Sequence, residues 1–217
     1  MSRPINLPAE EGQRRLASDQ GKGETDAALV AQAKDDPTAF GVLYERYVGS
    51  VYNYLLYGTN IKEEAEDLTA RTFHNALAAL PRYCTQGTPF KSWLLHIAHN
   101  LLANWYRDRS RHKNVTLEVV DYWATGTEID PFDSAVVAEE QRLVRGAVAR
   151  LPRRRQQLVV LKYVEELSNA EIGAVLGCSE GAAKALLHRT LRTMRRELER
   201  QGHSGVRTES HGGSDAS

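Results

Sequence analysis

The chain has 217 residues, and its 28 basic and 28 acidic residues give a formal net charge of zero. Its two cysteines, Cys84 and Cys178, fit no metal-ligand spacing, and the sequence predicts no cofactor and no metal site. No apolar run approaches the roughly 20 residues that span a bilayer, and the N-terminus lacks a signal-peptide core. We therefore expect a cytoplasmic protein of one domain or two small ones.

The zero net charge averages over blocks of opposite sign. Residues 114–135 contain five acidic residues and no basic ones, whereas residues 136–200 contain 13 basic and 8 acidic residues. The basic block at residues 136–200 says more about binding partners than the net charge of the whole chain does, because a cluster of basic residues is expected in a nucleic-acid binder.

Helical periodicity without strand alternation predicts an all-α protein. Residues 1–24 are polar and are expected to be disordered. Thr25 can cap a first helix, Asp36-Pro37 starts a second, and KEEAEDLTARTFHNALAAL forms a third that stops at Pro81. A fourth helix begins after the loop RYCTQGT and continues to about residue 110. Short connections predict that residues 25–113 form one compact domain.

The fourth helix has two distinct faces. Its apolar face consists of Phe90, Leu94, Ile97, Ala98, Leu101 and Trp105. The other side carries Trp93, Asn100, Asn104 and Arg107, with His96 and His99 beside them. Rings stack on unpaired bases, amides bond base edges and cations meet the backbone, so this face suits single-stranded nucleic acid. An ordinary surface with a partly exposed tryptophan remains the alternative. A zinc site at His96 and His99 lacks a third ligand nearby in sequence.

A helix-turn-helix follows an acidic linker. We predict a linker over residues 114–130, a second helical domain over residues 131–201 and a disordered tail over residues 202–217. Ser168 and Glu171 have capping-box spacing, Gly177 ends that helix, and Ser179 can cap the next one.

The second helix of this motif is amphipathic. Ala183, Leu186, Leu187, Leu191, Met194 and Leu198 share one face. Lys184, His188, Arg189, Arg192, Arg195 and Arg196 share the opposite one. A helix with an apolar back and a basic front suits the major groove of DNA. A solvated basic surface is the alternative, but the motif spacing together with the charge segregation favours DNA binding.

These segments together resemble a known family. The order AEDLTARTFHNALAAL, TPFKSWLLHIAHNLLANWYRD, an acidic linker, LPRRRQQLVVLKYVEELSNAEIGAVLG and CSEGAAKALLHRTLRTMRREL is similar to the extracytoplasmic-function (ECF) group of bacterial sigma-70-type sigma factors. The resemblance covers residues 27–199. It implies an all-α fold of two small helical domains joined by an acidic flexible linker, the second a helix-turn-helix of the winged-helix-like, sigma region 4 type.

The resemblance also implies partners. The first domain, of the sigma region 2 type, would bind core RNA polymerase and open promoter DNA at the −10 element. The second would read the −35 element as duplex, and the linker would enter the polymerase cleft. Proteins of this group are commonly held by an anti-sigma factor, so we expect one here.

Residue roles follow by position from the resemblance. Asn100 and Asn104 match residues that shape a pocket for a flipped −10 base, which the loop at residues 83–88 encloses. The expected −10 contacts are Lys91, Trp93, Asn100, Asn104, Trp105, Arg107 and Arg109. The expected −35 contacts are Ser179, Lys184, Ala185, His188, Arg189 and Arg192, with the Ser179 amide able to bind a phosphate at the helix N-terminus.

The polymerase-binding segment departs from the family pattern. The family often has D-L-x-Q-E-x-F, whereas this chain has DLTARTF, with Ala70 in place of Gln and Arg71 in place of Glu. Asp67, Leu68 and Phe73 are kept as the expected polymerase anchors.

Two other functions are compatible with parts of the sequence. A regulator with a helical sensory domain would bind duplex DNA tightly on its own, whereas a sigma factor needs polymerase. An interaction protein that sequesters polymerase would bind it without opening DNA. No phosphate loop, carboxylate pair or nucleophile–base arrangement is apparent, so we do not expect an enzyme.

Overall fold

The computed structural model describes residues 25–84, 87–111 and 135–206, and all regular structure in these ranges is helical. The predicted disordered segment at residues 1–24 and the predicted linker at residues 114–130 lie outside the described residues, as do two residues of the loop at 83–88. Within the described ranges, no helix is both long and apolar enough to cross a membrane.

The first domain contains four α-helices. They are α1 (Asp26–Ala33), α2 (Pro37–Thr59), α3 (Lys62–Ala79) and α4 (Phe90–Arg111), with a 3₁₀ turn at Leu80–Arg82. The predicted starts of α1 and α2 are confirmed. Thr25 accepts a hydrogen bond from the Ala28 amide at 3.3 Å, and Asp36 accepts one from the Thr38 amide at 2.8 Å.

Helices α2, α3 and α4 enclose the core of this domain. Each contributes large apolar side chains at helical spacing, because only one stripe of an amphipathic helix can be buried. The fully or almost fully buried side chains include Leu43, Tyr54, Leu55, Leu68, Phe73, Leu94, Leu95 and Leu102. On the rest of α4, Asn100, Asn104 and Arg107 remain exposed.

The second domain contains the predicted helix-turn-helix. Its helices are α5 (Ala135–Ala149), α6 (Arg153–Val159), α7 (Asn169–Leu176) and α8 (Glu180–Val206). Ser168 and Glu171 form the predicted capping box, and Gly177 ends α7 in the left-handed conformation with φ of 65°. Helix α8 runs past the expected domain end at residue 201, and residues 207–217 of the predicted tail lie outside the described residues.

A π-helical turn at Val160–Val164 extends α6, which the sequence pattern did not predict. The amide of Glu165 closes this turn by donating to the Val160 carbonyl at 3.0 Å. The wider turn is followed by Glu166 at φ of 56°. It leaves the Glu165 side chain buried and directed at the first domain, where it meets Lys91 at 2.9 Å.

The capping box of α7 makes a first prediction about stability. Ser168→Ala removes the acceptor of the Glu171 amide, which lies 3.2 Å from the serine oxygen. We expect the free energy of unfolding to fall by about 1 kcal/mol. Urea unfolding measures this, with Ser50→Ala in the interior of α2 as the control. Equal stability of the two variants would contradict the role of the cap.

The two domains pack directly against each other. Helix α4 contacts α7, and α2 contacts α6 and the π-helical turn. The buried apolar residues of both domains form one continuous cluster. Polar contacts join them as well, because Arg153 of α6 donates to the Gly58 carbonyl of α2 at 3.1 Å.

Candidate nucleic-acid interface

Helix α8 presents its predicted DNA-binding residues to solvent. Ser179, Lys184, Ala185, His188, Arg189 and Arg192 are all exposed. The opposite side is anchored by Ala183 and Thr190, which are 1% and 0% exposed. Leu191, expected on the apolar face, is 38% exposed, so that part of the prediction is wrong. It lies at the edge of the apolar stripe, whereas Thr190 lies near its centre and donates to the Leu186 carbonyl.

The N-terminus of α8 is organised for an approach to phosphate. The Ser179 hydroxyl accepts a hydrogen bond from the Ala182 amide at 3.2 Å, which confirms the predicted cap. The cap orients the first turn while its outer surface remains exposed. Orphan amides and the helix dipole at such a terminus favour an anion.

Helix α4 carries two asparagines and an arginine on one exposed face. Asn100, Asn104 and Arg107 are exposed, and Arg107 donates to the Asn104 side-chain oxygen at 3.0 Å. The Asn100 amide lies 3.0 Å from Nε2 of His96. These three side chains lie together as predicted, and water-accessible amides can exchange their partners for base edges.

Trp93 lies at the N-terminal end of this face within a group of aromatic rings. Its centroid lies 4.6 Å from that of Tyr83 and 5.5 Å from that of Phe90. Tyr83 in turn donates its hydroxyl proton to the Thr88 carbonyl at 2.6 Å. The rings therefore fix both Trp93 and the beginning of the loop beside it.

Trp105 and Arg109 lie toward α3 rather than on the asparagine face. The Trp105 indole donates to Glu64 at 2.8 Å, and the Arg109 guanidinium lies 5.1 Å from the indole centroid. The indole N–H of Trp105 is therefore already engaged by Glu64 of α3. Arg109 remains half-buried on the outer side of that ring.

Lys91 lies at the boundary between the two domains. Its ammonium is 2.9 Å from the Glu165 carboxylate and also donates to the Glu165 carbonyl at 2.9 Å. The Lys91 side chain is 28% exposed and that of Glu165 is 3% exposed. The structure thus separates Lys91 from the asparagine face with which it was grouped.

Two of the expected polymerase anchors are core residues. Leu68 is 0% and Phe73 is 4% exposed, so both side chains lie in the core, and their role at polymerase stays a prediction. Their helical spacing fits the core stripe of α3. Asp67 is exposed, with the Arg71 guanidinium at 3.4 Å. Sequence reasoning missed Leu77, an apolar side chain that is 46% exposed on α3.

The two histidines of α4 serve packing and polar contacts. His96 Nδ1 lies 2.9 Å from the Val175 carbonyl, and His99 Nδ1 lies 2.8 Å from the Tyr54 hydroxyl. Among the described residues, no group of three histidine, cysteine or acidic side chains could hold a metal ion. Burial, with smaller electrostatic contributions from His96 and Arg154, lowers the pKa of His99 from 6.5 to about 4.

The lowered pKa of His99 predicts acid sensitivity. The unfolded chain takes up a proton at this residue below about pH 6.5, whereas the folded chain resists it down to about pH 4. The stability that neutral His99 confers is therefore complete above pH 6.5 and is lost as the pH falls toward 4. At pH 5 we expect a loss of about 2 kcal/mol. His99→Gln should remove that part of the loss in urea unfolding at pH 7.5 and pH 5; an unchanged pH dependence would contradict this.

Comparisons with known proteins match both domains. The Sigma-70 region 2 family model matches residues 43–112, and the Sigma-70 region 4 model matches residues 141–194. The ECF RNA polymerase sigma factor BldN of Streptomyces coelicolor is 36% identical over 186 residues, which cover 85% of this chain and 70% of BldN. The ECF sigma factor SigW of Bacillus subtilis is 27% identical over 177 residues, covering 76% of this chain and 91% of SigW.

Solved structures show the same fold. CnrH, in complex with the cytosolic domain of CnrY, aligns with a TM-score of 0.59 at 22% identity, covering 81% of this chain and 98% of CnrH. RpoE of Bartonella quintana, in complex with the anti-sigma factor NepR, aligns with a TM-score of 0.59 at 20% identity, covering 74% and 96% of the two chains.

The fold and its two exposed faces define a transcription initiation factor of the sigma-70 class, with a region 2 and a region 4 domain. Within that class, the chain belongs to the ECF RNA polymerase sigma factors, and its function is promoter-directed initiation of transcription. Sigma factors act as initiation factors rather than as catalysts.

Proposed function

We propose that the two domains divide promoter recognition between the asparagine face of α4 and the basic face of α8. Residues 25–113 bind core polymerase and open the −10 element, residues 114–130 link the domains, and residues 131–201 read the −35 element. The observation that carries the proposal is the presence, in one chain, of an amide-bearing face suited to unpaired bases and a basic recognition helix suited to duplex DNA.

On the −10 side, Asn100 and Asn104 supply amides for a base that has left the stack, and Arg107 meets the adjoining backbone. Trp93 supports the loop and offers a ring edge, since its neighbours Tyr83 and Phe90 already cover part of it. Arg109 covers Trp105 from outside and can reach a phosphate, while Trp105 holds α3 and α4 together.

On the −35 side, Lys184 is exposed on one turn of α8, and His188 and Arg189 are exposed on the next. Long basic side chains reach base edges and phosphates, while the small side chain of Ala185 permits close approach to the groove. Arg192 extends the basic row, and the Ser179 terminus binds a phosphate. Base readout thus depends on three side chains, and the rest of the face positions the helix.

The polymerase-binding surface that we propose is the exposed side of α3. Asp67 and Arg71 supply charge, and the exposed Leu77 supplies an apolar contact. Tyr44 adds a half-exposed ring, whose centroid lies 4.7 Å from that of Phe73. Leu68 and Phe73 support this surface from the core rather than touching the partner. Arg71 gives it a positive charge where relatives often carry a negative one.

We further propose that the protein works in the cytoplasm, carries out no covalent chemistry and is held by an anti-sigma factor. The support for such a partner is that one structurally similar protein, RpoE of Bartonella quintana, was solved with the anti-sigma factor NepR. An anti-sigma factor of this chain would have to cover the proposed polymerase-binding surface of α3 or the proposed DNA-binding faces of α4 and α8.

Footprinting with and without core polymerase tests the division of labour. The chain alone should protect no site at concentrations where the chain with core polymerase protects both elements and makes −10 thymines reactive to permanganate. Tight protection of a duplex site by the chain alone would support the regulator alternative. Polymerase binding without thymine reactivity would support the sequestering alternative.

A further inference from the structure

A carboxylate at the beginning of α3 holds an aromatic ring of α4. Glu64 lies in the first turn of α3 and accepts a hydrogen bond from the indole N–H of Trp105 at 2.8 Å. The two residues are 41 positions apart, and both are partly buried. Glu63, the other acidic residue of this turn, is exposed. The two neighbouring glutamates therefore differ in burial, and Glu64 has a defined partner on α4.

The ring of Trp105 also carries a positive charge on its face. The Arg109 guanidinium lies 5.1 Å from the ring centroid. An aromatic ring has a negative face and a positive edge, so a cation over the face and a carboxylate at the N–H edge polarise the indole in the same direction. The contacts of Glu64 and Arg109 with this ring therefore strengthen each other.

The indole N–H fixes the orientation of this ring. It is the only polar group of a tryptophan side chain, and it can only donate a hydrogen bond. A partly buried donor without an acceptor is unfavourable, so loss of the Glu64 carboxylate would turn the N–H of Trp105 toward water and tilt the ring. The surface on which Arg109 lies would then change as well.

Arg109 gains from a fixed surface of this kind. Its long side chain has many rotamers, and ordering them opposes binding to a phosphate. A cation–π contact holds the guanidinium by its positive charge, so the N–H donors remain able to bind phosphate oxygens. A guanidinium that is held in place before DNA arrives therefore loses less entropy on binding.

We propose that Glu64 is a positioning residue for DNA binding: by holding the indole of Trp105, it keeps the Arg109 guanidinium directed at a phosphate beside the −10 element. The inference rests on the proposed −10 assignment of Arg109. It gives an acidic residue a favourable effect on DNA binding, which is the reverse of its direct effect, because a carboxylate repels phosphates. The sign of the effect therefore distinguishes positioning from direct electrostatics.

Direct contact with polymerase is the competing role for this carboxylate. Glu64 lies three positions before Asp67, on the helix to which the proposed function assigns polymerase binding. Residues three apart are neighbours on a helix surface. A test must therefore measure DNA binding and polymerase binding separately.

The salt dependence of DNA binding by the polymerase complex tests the proposal. The promoter fragment has an unpaired −10 element, so strand opening makes no contribution. Each phosphate contact to a single strand adds about −0.7 to the slope of log affinity against log salt concentration. Arg109→Ala should make this slope shallower by about 0.7. Glu64→Ala should weaken binding and make the slope shallower by most of the same amount.

Two single variants serve as controls. Glu64→Gln keeps an oxygen that accepts from the indole N–H, so it should restore the wild-type affinity and slope. Glu63→Ala removes the same charge from the same turn of α3 and leaves the hydrogen bond of Trp105 in place, so it should not weaken binding. A Glu64→Ala chain that binds DNA as tightly as the wild type, or more tightly, would overturn the proposal.

Double variants show whether Glu64 acts through Trp105 and Arg109. Glu64→Ala should cause no further loss when it is combined with Arg109→Ala, or with Trp105→Phe, which keeps a ring but lacks the N–H. Additive losses would contradict the proposed route. Co-elution with core polymerase and urea unfolding complete the set, because a Glu64→Ala chain that loses polymerase affinity or stability with an unchanged salt slope has a different role, and the proposal is then wrong.

The same measurements distinguish this inference from the −10 assignment. If Arg109→Ala makes the slope shallower and Glu64→Ala does not, Arg109 binds DNA without help from Glu64, and the inference alone fails. If Arg109→Ala leaves the slope unchanged, Arg109 does not bind a phosphate, and both the assignment and the inference are wrong.

Discussion

Replacement of Asn100 and Asn104 by alanine is expected to reduce promoter opening by the polymerase complex about 10- to 100-fold, with polymerase binding unchanged. Both amides are assigned to the same unstacked base, and loss of one base contact costs about 1–3 kcal/mol. Both side chains are exposed and belong to no part of the core, so the fold should tolerate the change. Permanganate reactivity of −10 thymines measures opening, and co-elution with core polymerase measures binding.

The matched control for this pair is Asn53→Ala on α2, which removes an amide away from the asparagine face. It should leave both measurements at the wild-type level. A double variant that opens DNA normally but no longer binds polymerase would show that α4 has the role that we give to α3.

Loss of the charges at Lys184 and Arg189 is expected to weaken recognition of the −35 element by about 10- to 100-fold. This range corresponds to the loss of one base contact, at about 1–3 kcal/mol, and is therefore the smallest effect expected of the double variant. Because both side chains project from the exposed face of α8, alanine removes contacts without leaving a cavity. Binding of the polymerase complex to promoters with intact and scrambled −35 sequences measures the effect.

Comparing the promoters with intact and scrambled −35 sequences distinguishes base-specific recognition from sequence-independent attraction to the phosphates. A residue that reads bases should lose its preference for the intact −35 sequence, whereas one that only meets phosphates should weaken both promoters and lower the salt dependence. As a control, Arg150→Ala removes a positive charge that lies outside the recognition face of α8. This variant should retain the preference for the intact −35 sequence. Retention of the full preference by the double alanine variant would contradict the −35 assignment.

Local signals in the sequence predicted the beginnings of helices well. The caps at Thr25, Asp36 and Ser179, the capping box at Ser168 and the turn at Gly177 all occur as expected. Each depends on hydrogen bonds between residues only a few positions apart, so the residue types alone determine it.

Burial and long-range contacts were harder to predict. Leu68 and Phe73 have the spacing of both a core stripe and a binding motif, and only packing against α2 and α4 shows which applies. The contacts of Trp105 with Glu64 and of Lys91 with Glu165 join residues 41 and 74 positions apart. No periodicity encodes such pairs, and the π-helical turn that directs Glu165 has no sequence signature of its own.

Run-off transcription on fragments of the genome that encodes this chain tests the central claim most directly. Core polymerase is assayed with and without the purified protein. Defined transcripts that appear only with the protein are the predicted result, and their start sites should share −10 and −35 sequences. No protein-dependent transcript, together with specific duplex binding by the protein alone, would contradict the account.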